Sequence, residues 1–225
     1  GNLEVESHAA LTSFALDSLT NVGGDLTLGE NAALTSFSFD SLTNIGGRLN
    51  IVFHPALTSF SFDNLTALGE EPRIILNTAL TSFSLDSLTE ISGEVRISLN
   101  DALTSFSFDS ITNIGGGLAI LGNENLTSFS LDNLNDIGGY LDITSNGALT
   151  SFALDNLTHI DGYLYIFEND ALTSFSLDSL THIGGGLWFQ NHNALCQSLV
   201  DAFMTAMESL GWTGDGDTSG NDDSC

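Results

Sequence analysis

The sequence predicts a mainly β protein, a β-solenoid in which one short loop of chain is wound repeatedly and closed by a C-terminal helix. Short segments carry apolar residues at alternate positions, without the longer run of helical spacing that a helix needs, and glycine pairs recur between them. A repeat of about 20 to 50 residues indicates stacked units that bury their apolar faces against each other. A leucine recurs every 23 residues without an insertion, at Leu11, Leu34, Leu57, Leu80, Leu103, Leu126, Leu149, Leu172 and Leu195.

The stretch from Val22 to Ile45 shows the parts of one 23-residue unit, here called a rung. Leu26 and Leu28 are two residues apart, which places both on one side of a short strand. Phe37 and Phe39 predict a second strand in the same way. The glycine pair before Leu26 predicts a sharp corner, because glycine accepts positive φ without steric cost.

A second corner is predicted where asparagine follows the first strand. Stacked asparagines can bond the backbone of their own and the neighbouring rung. The column contains Asn31, Asn77, Asn100, Asn123, Asn146 and Asn169. His8, His54 and His192 take the same place in other rungs, and we interpret them as substitute corner residues rather than metal ligands.

The pattern Leu26-x-Leu28-x-x-Asn31-x-x-Leu34 resembles the leucine-rich repeat. Its extension, Leu42-Thr43-Asn44-Ile45-Gly46-Gly47, is similar to repeats of receptor L domains and of fungal and bacterial cell-surface proteins. The resemblance covers roughly residues 2 to 195. It implies a right-handed solenoid with parallel sheets that is extracellular, non-catalytic and used for binding or as wall structure. Aspartate fills one column in which many relatives carry proline.

The rungs should occupy residues 1–194, as about eight units, and residues 195–225 should form a C-terminal cap. A capping helix is predicted over 195–210 from apolar residues at helical spacing, with Gly211 as its stop. We interpret Cys196 and Cys225 as a disulfide that ties down the tail, with two free thiols as the alternative. Asn221 in that tail can copy the asparagine corner. At the other end the chain starts inside a rung, which is typical of a mature or trimmed product.

The charge of the chain restricts its partners. It has 29 acidic residues, three arginines and no lysine, which gives a net charge of −26. Nucleic acid and anionic membrane surfaces are poor partners for such a chain, and no apolar run is long enough to insert into a bilayer. We expect an extracellular or cell-surface location, because an acidic surface keeps a secreted protein soluble and a disulfide needs an oxidising compartment.

An aspartate ends the second strand of every rung. Like charges about 5 Å apart repel, so capping of the following turn or binding of Ca²⁺ should offset the repulsion. We favour capping, and no cofactor is required. The candidate Ca²⁺ ligands are Asp40, Asp63, Asp86, Asp109, Asp132 and Asp155, with Asp215 and Asp217 in the tail.

The outward positions of the first strand vary from rung to rung, and the later rungs carry aromatic residues there. A contiguous outward aromatic patch predicts a contact surface for a protein or a sugar, unless a loop or the C-terminal segment covers it. The predicted contact residues are Tyr140, Tyr163, Tyr165, Phe167 and Trp188. His159 and His182 share a column and form a weaker candidate metal site.

No catalytic motif is present, and equivalent carboxylates in a row lack the differing environments that acid–base pairs need, so no catalytic residue is predicted. The expected function is therefore structural, by end-to-end self-assembly into a filament or surface layer. The alternative is a cell-surface adhesion or ligand-binding module that uses the aromatic residues. A further alternative is ice binding by the regular serine and threonine columns.

Overall fold

A computed structural model describes residues 1–225 and confirms a β-solenoid of about eight rungs, closed by one C-terminal helix. Each rung has three sides. The first sides pair in parallel to form one continuous sheet, here called the long sheet. Its strands are Leu3–Glu6, Leu26–Gly29, Leu49–Val52, Pro72–Ile75, Val95–Ser98, Leu118–Leu121, Leu141–Thr144, Leu164–Phe167, Leu187–Gln190 and Gly216–Asp217.

The other two sides are shorter and also pair in parallel, but the second side is divided into three short sheets and the third side into two. The second side holds Ser13–Ala15, Ser36–Ser38, Ser59–Ser61, Ser82–Ser84, Ser105–Ser107, Ser128–Ser130, Ser151–Ala153 and Ser174–Ser176. The third side holds Asn21–Val22, Asn44–Ile45, Ala67–Leu68, Glu90–Ile91, Asn113–Ile114, Asp136–Ile137, His159–Ile160 and His182–Ile183.

The core is a stack of aliphatic residues beside a ladder of phenylalanine rings from the second side. Ring centroids of Phe83 and Phe106 are 5.6 Å apart, and those of Phe106 and Phe129 are 5.5 Å apart, with nearly parallel planes. Each interior ring is therefore covered by the rung before and the rung after. The ladder confirms that the phenylalanines of this strand point inward.

The asparagine corner forms the expected ladder of buried hydrogen bonds. Asn77 donates from Nδ2 to the Ile51 carbonyl at 2.8 Å, and the Asn77 amide donates to Asn100 Oδ1 at 3.0 Å. His54 and His192 are fully buried in the same column. They are corner residues, as the sequence indicates.

The glycine pairs have a different role from the one expected. They do not have positive φ; the column with positive φ lies just before the asparagine corner. A Cβ on Gly46 would lie 2.7 Å from the Gly23 oxygen, and one on Gly139 would lie 2.7 Å from the Gly116 carbonyl carbon. The glycines are needed because the backbones of successive rungs pack closely there.

The C-terminal cap covers the last rung. Its helix spans Gln197–Ser209, slightly shorter than predicted, and Phe203 packs edge-on against Phe175 with centroids 5.6 Å apart. Cys196 and Cys225 form the disulfide, and Gly216–Asp217 adds a last strand to the long sheet. Asn221 in this tail donates to the Phe189 carbonyl at 3.0 Å, which extends the asparagine corner by one more step.

Candidate functional site

The outward face of the long sheet brings the five predicted contact residues into one group, here called the aromatic cluster: Tyr140, Tyr163, Tyr165, Phe167 and Trp188. The rings of Tyr140 and Tyr163 stack with centroids 5.1 Å apart and planes 7° apart. The Trp188 ring lies beside the rings of Tyr163 and Tyr165, with centroids 6.4 Å and 6.1 Å apart. The Phe167 ring stacks on Tyr165 with centroids 5.6 Å apart. Tyr163 is 42% exposed, so solvent reaches the cluster.

Two glycines make room for the cluster. A Cβ on Gly117 would lie 2.6 Å from the Tyr140 ring, and one on Gly186 would collide with the Trp188 ring. These are the third glycines of Gly115-Gly116-Gly117 and Gly184-Gly185-Gly186, and no other rung has a third glycine. The third glycine therefore marks a place where a ring lies against the backbone, from the next rung at Gly117 and from the same rung at Gly186.

A pocket of about 350 Å³ opens within the cluster, lined by Asp142, Tyr163, Tyr165 and Trp188. Asp142 is half-buried, and its carboxylate accepts a hydrogen bond from Thr144 Oγ1. Burial raises the pKa of Asp142, while the hydrogen bond and the positive charge of Arg96 act in the opposite direction. The sequence prediction missed Asp142, although it lies 23 residues before Tyr165 and 46 before Trp188 in the same column.

Tyr140 connects the aromatic cluster to the charged part of the face. Burial raises the pKa of Tyr140 to about 12, and the nearby Glu94 raises it further. Glu94 also pairs with Arg96 at 3.4 Å.

The later rungs that form the cluster match a known family. Residues 111–206 match the family model of the Receptor L domain. This match and the stacked repeats fit a repeat protein similar to receptor L domains. Neither the curated proteins nor the solved structures gave a match. No helix of the structure is both long and apolar enough to cross a membrane.

A second outward patch was not predicted, and we call it the aliphatic patch: Val52, Phe53, Ile75, Leu76, Leu99 and Leu121. Phe53, Leu76 and Leu99 are 50%, 36% and 47% exposed. They have φ values of 62°, 59° and 57°, a left-handed conformation that is uncommon for bulky residues. The remaining rungs place serine, glutamate, asparagine or glycine at this position. Strained apolar residues kept at a solvent-exposed corner indicate a functional surface.

All three arginines lie on or beside the same face. Arg48 contacts Glu70 at 3.0 Å and Glu71 at 3.1 Å, and Arg73 contacts Glu71 at 2.6 Å. The pairs are about half exposed, so each contributes little to stability. Together they leave this part of the face nearly neutral in an otherwise acidic protein.

The aspartate column is not arranged as expected. The amide of the following turn is already satisfied by the backbone, as in the bond from the Leu42 amide to the Phe39 carbonyl, so the aspartate does not cap it. Three of the carboxylates instead accept from serine hydroxyls of the second side: Asp17 from Ser38, Asp132 from Ser130 and Asp155 from Ser176. Asp86 accepts the backbone amide of Asp109 in the next rung. The capping prediction is therefore wrong.

The candidate Ca²⁺ ligands lie in two places. Asp40, Asp63, Asp86, Asp109, Asp132 and Asp155 line one edge of the second side, whereas Asp215 and Asp217 lie in the tail beside the long sheet. No group of three or more acidic, histidine or cysteine side chains is placed to hold one metal ion. His159 contacts Asp136 at 3.3 Å and His182 through the rings, without a third ligand.

Proposed function

We propose that the chain is a non-enzymatic, extracellular binding module that contacts its partner through the outward face of the long sheet. The Receptor L domain match supports a ligand-binding or extracellular module, and the domain and solenoid families concerned are non-catalytic. The disulfide agrees with an oxidising location. The observation that carries the proposal is the aromatic cluster, whose rings contact each other and stay open to solvent.

The aromatic cluster suits recognition because tyrosine and tryptophan combine a large apolar area with a polar tip. The aliphatic patch lies on the same face and enlarges the apolar surface. The bonded arginines and glutamates lie beside both patches, which gives the arrangement of apolar contacts and polar border that many interfaces have. A surface protein or a glycan is the class of partner that fits.

The test is a binding screen against purified cell-surface glycans and extracellular proteins. Tyr163→Ser and Trp188→Ser should each reduce any binding that the unaltered protein shows, by roughly tenfold or more if these rings are central contacts. Ser128→Ala and Ser174→Ala, on the second side, are matched controls and should leave binding unchanged. Binding that survives both aromatic substitutions would contradict the proposed face.

Self-assembly is the second candidate, favoured by the edge strand Leu3–Glu6 of the long sheet. Leu3–Glu6 pairs with a neighbour along one edge, and Leu3 and Val5 are half-buried. A copy docked on that edge would bury them, and repeated head-to-tail contact builds filaments. The helix and the last strand cover the opposite end of the solenoid. The contact would therefore join the edge strand Leu3–Glu6 of one copy to the C-terminal cap of the next.

Light scattering at several protein concentrations, with and without Ca²⁺, tests self-assembly. Ca²⁺ is proposed here as a cation that screens the aspartate column. Long polymers in negative stain would support assembly, and Leu3→Asp should shorten them. A monomer under every condition would exclude it.

Ice binding is the third candidate, favoured by the second side. Five threonines of the column before these strands point the same way, because the hydroxyl of each donates to the carbonyl one rung earlier. Thr35 donates to Thr12 at 3.0 Å and Thr104 to Thr81 at 3.1 Å, and Thr81, Thr150 and Thr173 do the same. The result is a regular array of hydroxyl and methyl groups, bordered by the charged aspartates. Thermal hysteresis that disappears in Thr104→Tyr would support this candidate, and its absence in the unaltered protein would exclude it.

A further inference from the structure

The pocket within the aromatic cluster has three aromatic walls that face different directions. The planes of Tyr163 and Trp188 meet at 78°, and those of Tyr165 and Trp188 meet at 55°. Asp142 completes the lining, which has no other residue. Because all three rings line one small volume, a ligand there can contact more than one of them, whereas a flat stack offers only one face.

The charges around the pocket favour a positive ligand. In the register of the long sheet Asp142 pairs with Tyr165, Tyr165 with Trp188, and Trp188 with Asp217, so a carboxylate stands at each end of the aromatic row. The nearest cation to act on Asp142 is Arg96, which is paired with Glu94. The negative faces of the rings add to the same field.

We propose that Asp142, Tyr163, Tyr165 and Trp188 form an aromatic cage that binds a compact organic cation, an alkylated ammonium group. The inference rests on the proposed function, since it names the ligand class for the same face. The rings contact the cation through cation–π attraction, and the Asp142 carboxylate neutralises its charge. The chain has no lysine that could occupy the cage itself. A neutral sugar would stack on the rings and could donate hydroxyl hydrogen bonds to a carboxylate, but it would gain no charge attraction.

Calorimetric titration with choline tests the cage, with 3,3-dimethylbutan-1-ol as a neutral probe of the same shape. Choline should bind at least about tenfold more tightly than the neutral alcohol, and its affinity should fall as salt rises. Nα-acetyl-lysine amide in a parallel titration distinguishes a protein side chain from a trimethylammonium group as the source of the cation. Equal affinity for choline and the alcohol, or no choline binding, would overturn the inference.

Substitutions locate the binding. Asp142→Asn keeps the shape of the site and removes its charge, whereas Trp188→Phe keeps an aromatic face that attracts cations less strongly. Each should weaken choline binding by roughly 3- to 30-fold. Asp132→Asn removes the same charge from the second side and should leave the affinity unchanged. An equal effect of Asp132→Asn and Asp142→Asn would assign the attraction to overall charge and overturn the cage.

The two proposals can fail separately. If choline binds as expected but the Tyr163 and Trp188 variants retain every partner found in the screen, the cage stands and the binding face fails. If those variants lose a glycan or protein partner while choline does not bind, the binding face stands and the cage fails.

Discussion

The buried imidazole of His54 shows how much depends on one residue of the asparagine corner. Both ring nitrogens lack a hydrogen-bond partner, and the residue is fully buried. By analogy with Asn77, an asparagine in its place would make two hydrogen bonds. Its Nδ2 would donate to the Leu28 carbonyl, and its Oδ1 would accept from the Asn31 amide. The imidazole therefore keeps the shape of the corner without its hydrogen bonds.

We expect His54→Asn to raise the free energy of unfolding by about 1 to 2 kcal/mol, because buried polar groups gain their partners. Denaturant unfolding measures the change. His192→Asn is the matched control and should gain less, since His192 Nδ1 already accepts the Asn169 amide at 3.2 Å. A loss of stability in His54→Asn would show that the imidazole packs better than the amide.

The same substitution should change the response to acid. Burial lowers the pKa of His54 in the folded protein, so between about pH 6.5 and that lower value the unfolded chain binds a proton that the folded chain does not. Stability contributed by the neutral imidazole is present above about pH 6.5 and is lost as the pH falls below it. The profile of His54→Asn should be flatter in this range, and a parallel profile would contradict the assignment.

At the scale of the element, the phenylalanine ladder derives its strength from having a neighbour on each side. Phe106 is nearly buried between Phe83 and Phe129, whereas Phe14 at the first rung is more exposed and stacks on Phe37 without a ring below it. Phe106→Ala should lower the free energy of unfolding by about 3 to 5 kcal/mol. Phe14→Ala should lower the free energy of unfolding by clearly less. Equal losses in denaturant unfolding would show that stacking between rings is not the source of the stability.

The left-handed corner offers a second test at this scale. Leu99→Asn should stabilise the protein by about 1 kcal/mol, because asparagine tolerates the left-handed conformation better than leucine. Leu121→Asn removes an outward leucine of the same patch from a normal strand conformation and should not stabilise. A melting temperature that falls in Leu99→Asn would mean that contacts of the leucine outweigh its backbone strain.

These elements also show what could be predicted from sequence. The alternation at Phe37 and Phe39 determines which way a strand faces, so the strands and the core followed from it. Strain at Leu99 could not be predicted, because leucine gives no sign of a left-handed backbone and only the fold imposes it. The capping role of the aspartates failed because a backbone carbonyl, Phe39 in that rung, reaches the turn amide first. The pocket was predicted only in part. The aromatic residues were identified, but Asp142 was not recognised as a member of the same column of the repeat.

At the scale of the whole molecule, the fixed 23-residue period makes the rungs interchangeable in the core and different on the surface. Strands of the long sheet pair with the rung before and the rung after, and the cap acts on the last rung alone. Stability should therefore be approximately a sum over rungs and their interfaces. The charged pairs of Arg48 and Arg73 and the aromatic cluster are therefore surface features of different rungs on one frame.

Removing one rung tests this additivity. Deletion of residues 58–80 joins Leu57 to Thr81 and recreates the Leu-Thr-Ser-Phe sequence, so the core and the asparagine corner continue across the junction. We expect cooperative unfolding with a denaturant m-value lower by about a tenth, in proportion to the 23 of 225 residues removed, and unchanged binding at the aromatic cluster.

Deletion of residues 58–69 is the control. It removes the second and third sides of a rung but keeps its strand in the long sheet, so the core is interrupted and cooperative unfolding should be lost. Deleting part of a rung leaves the apolar faces of both neighbouring rungs uncovered, whereas deleting a whole rung does not. If the two deletions behaved alike, the rung would therefore not be the unit of stability.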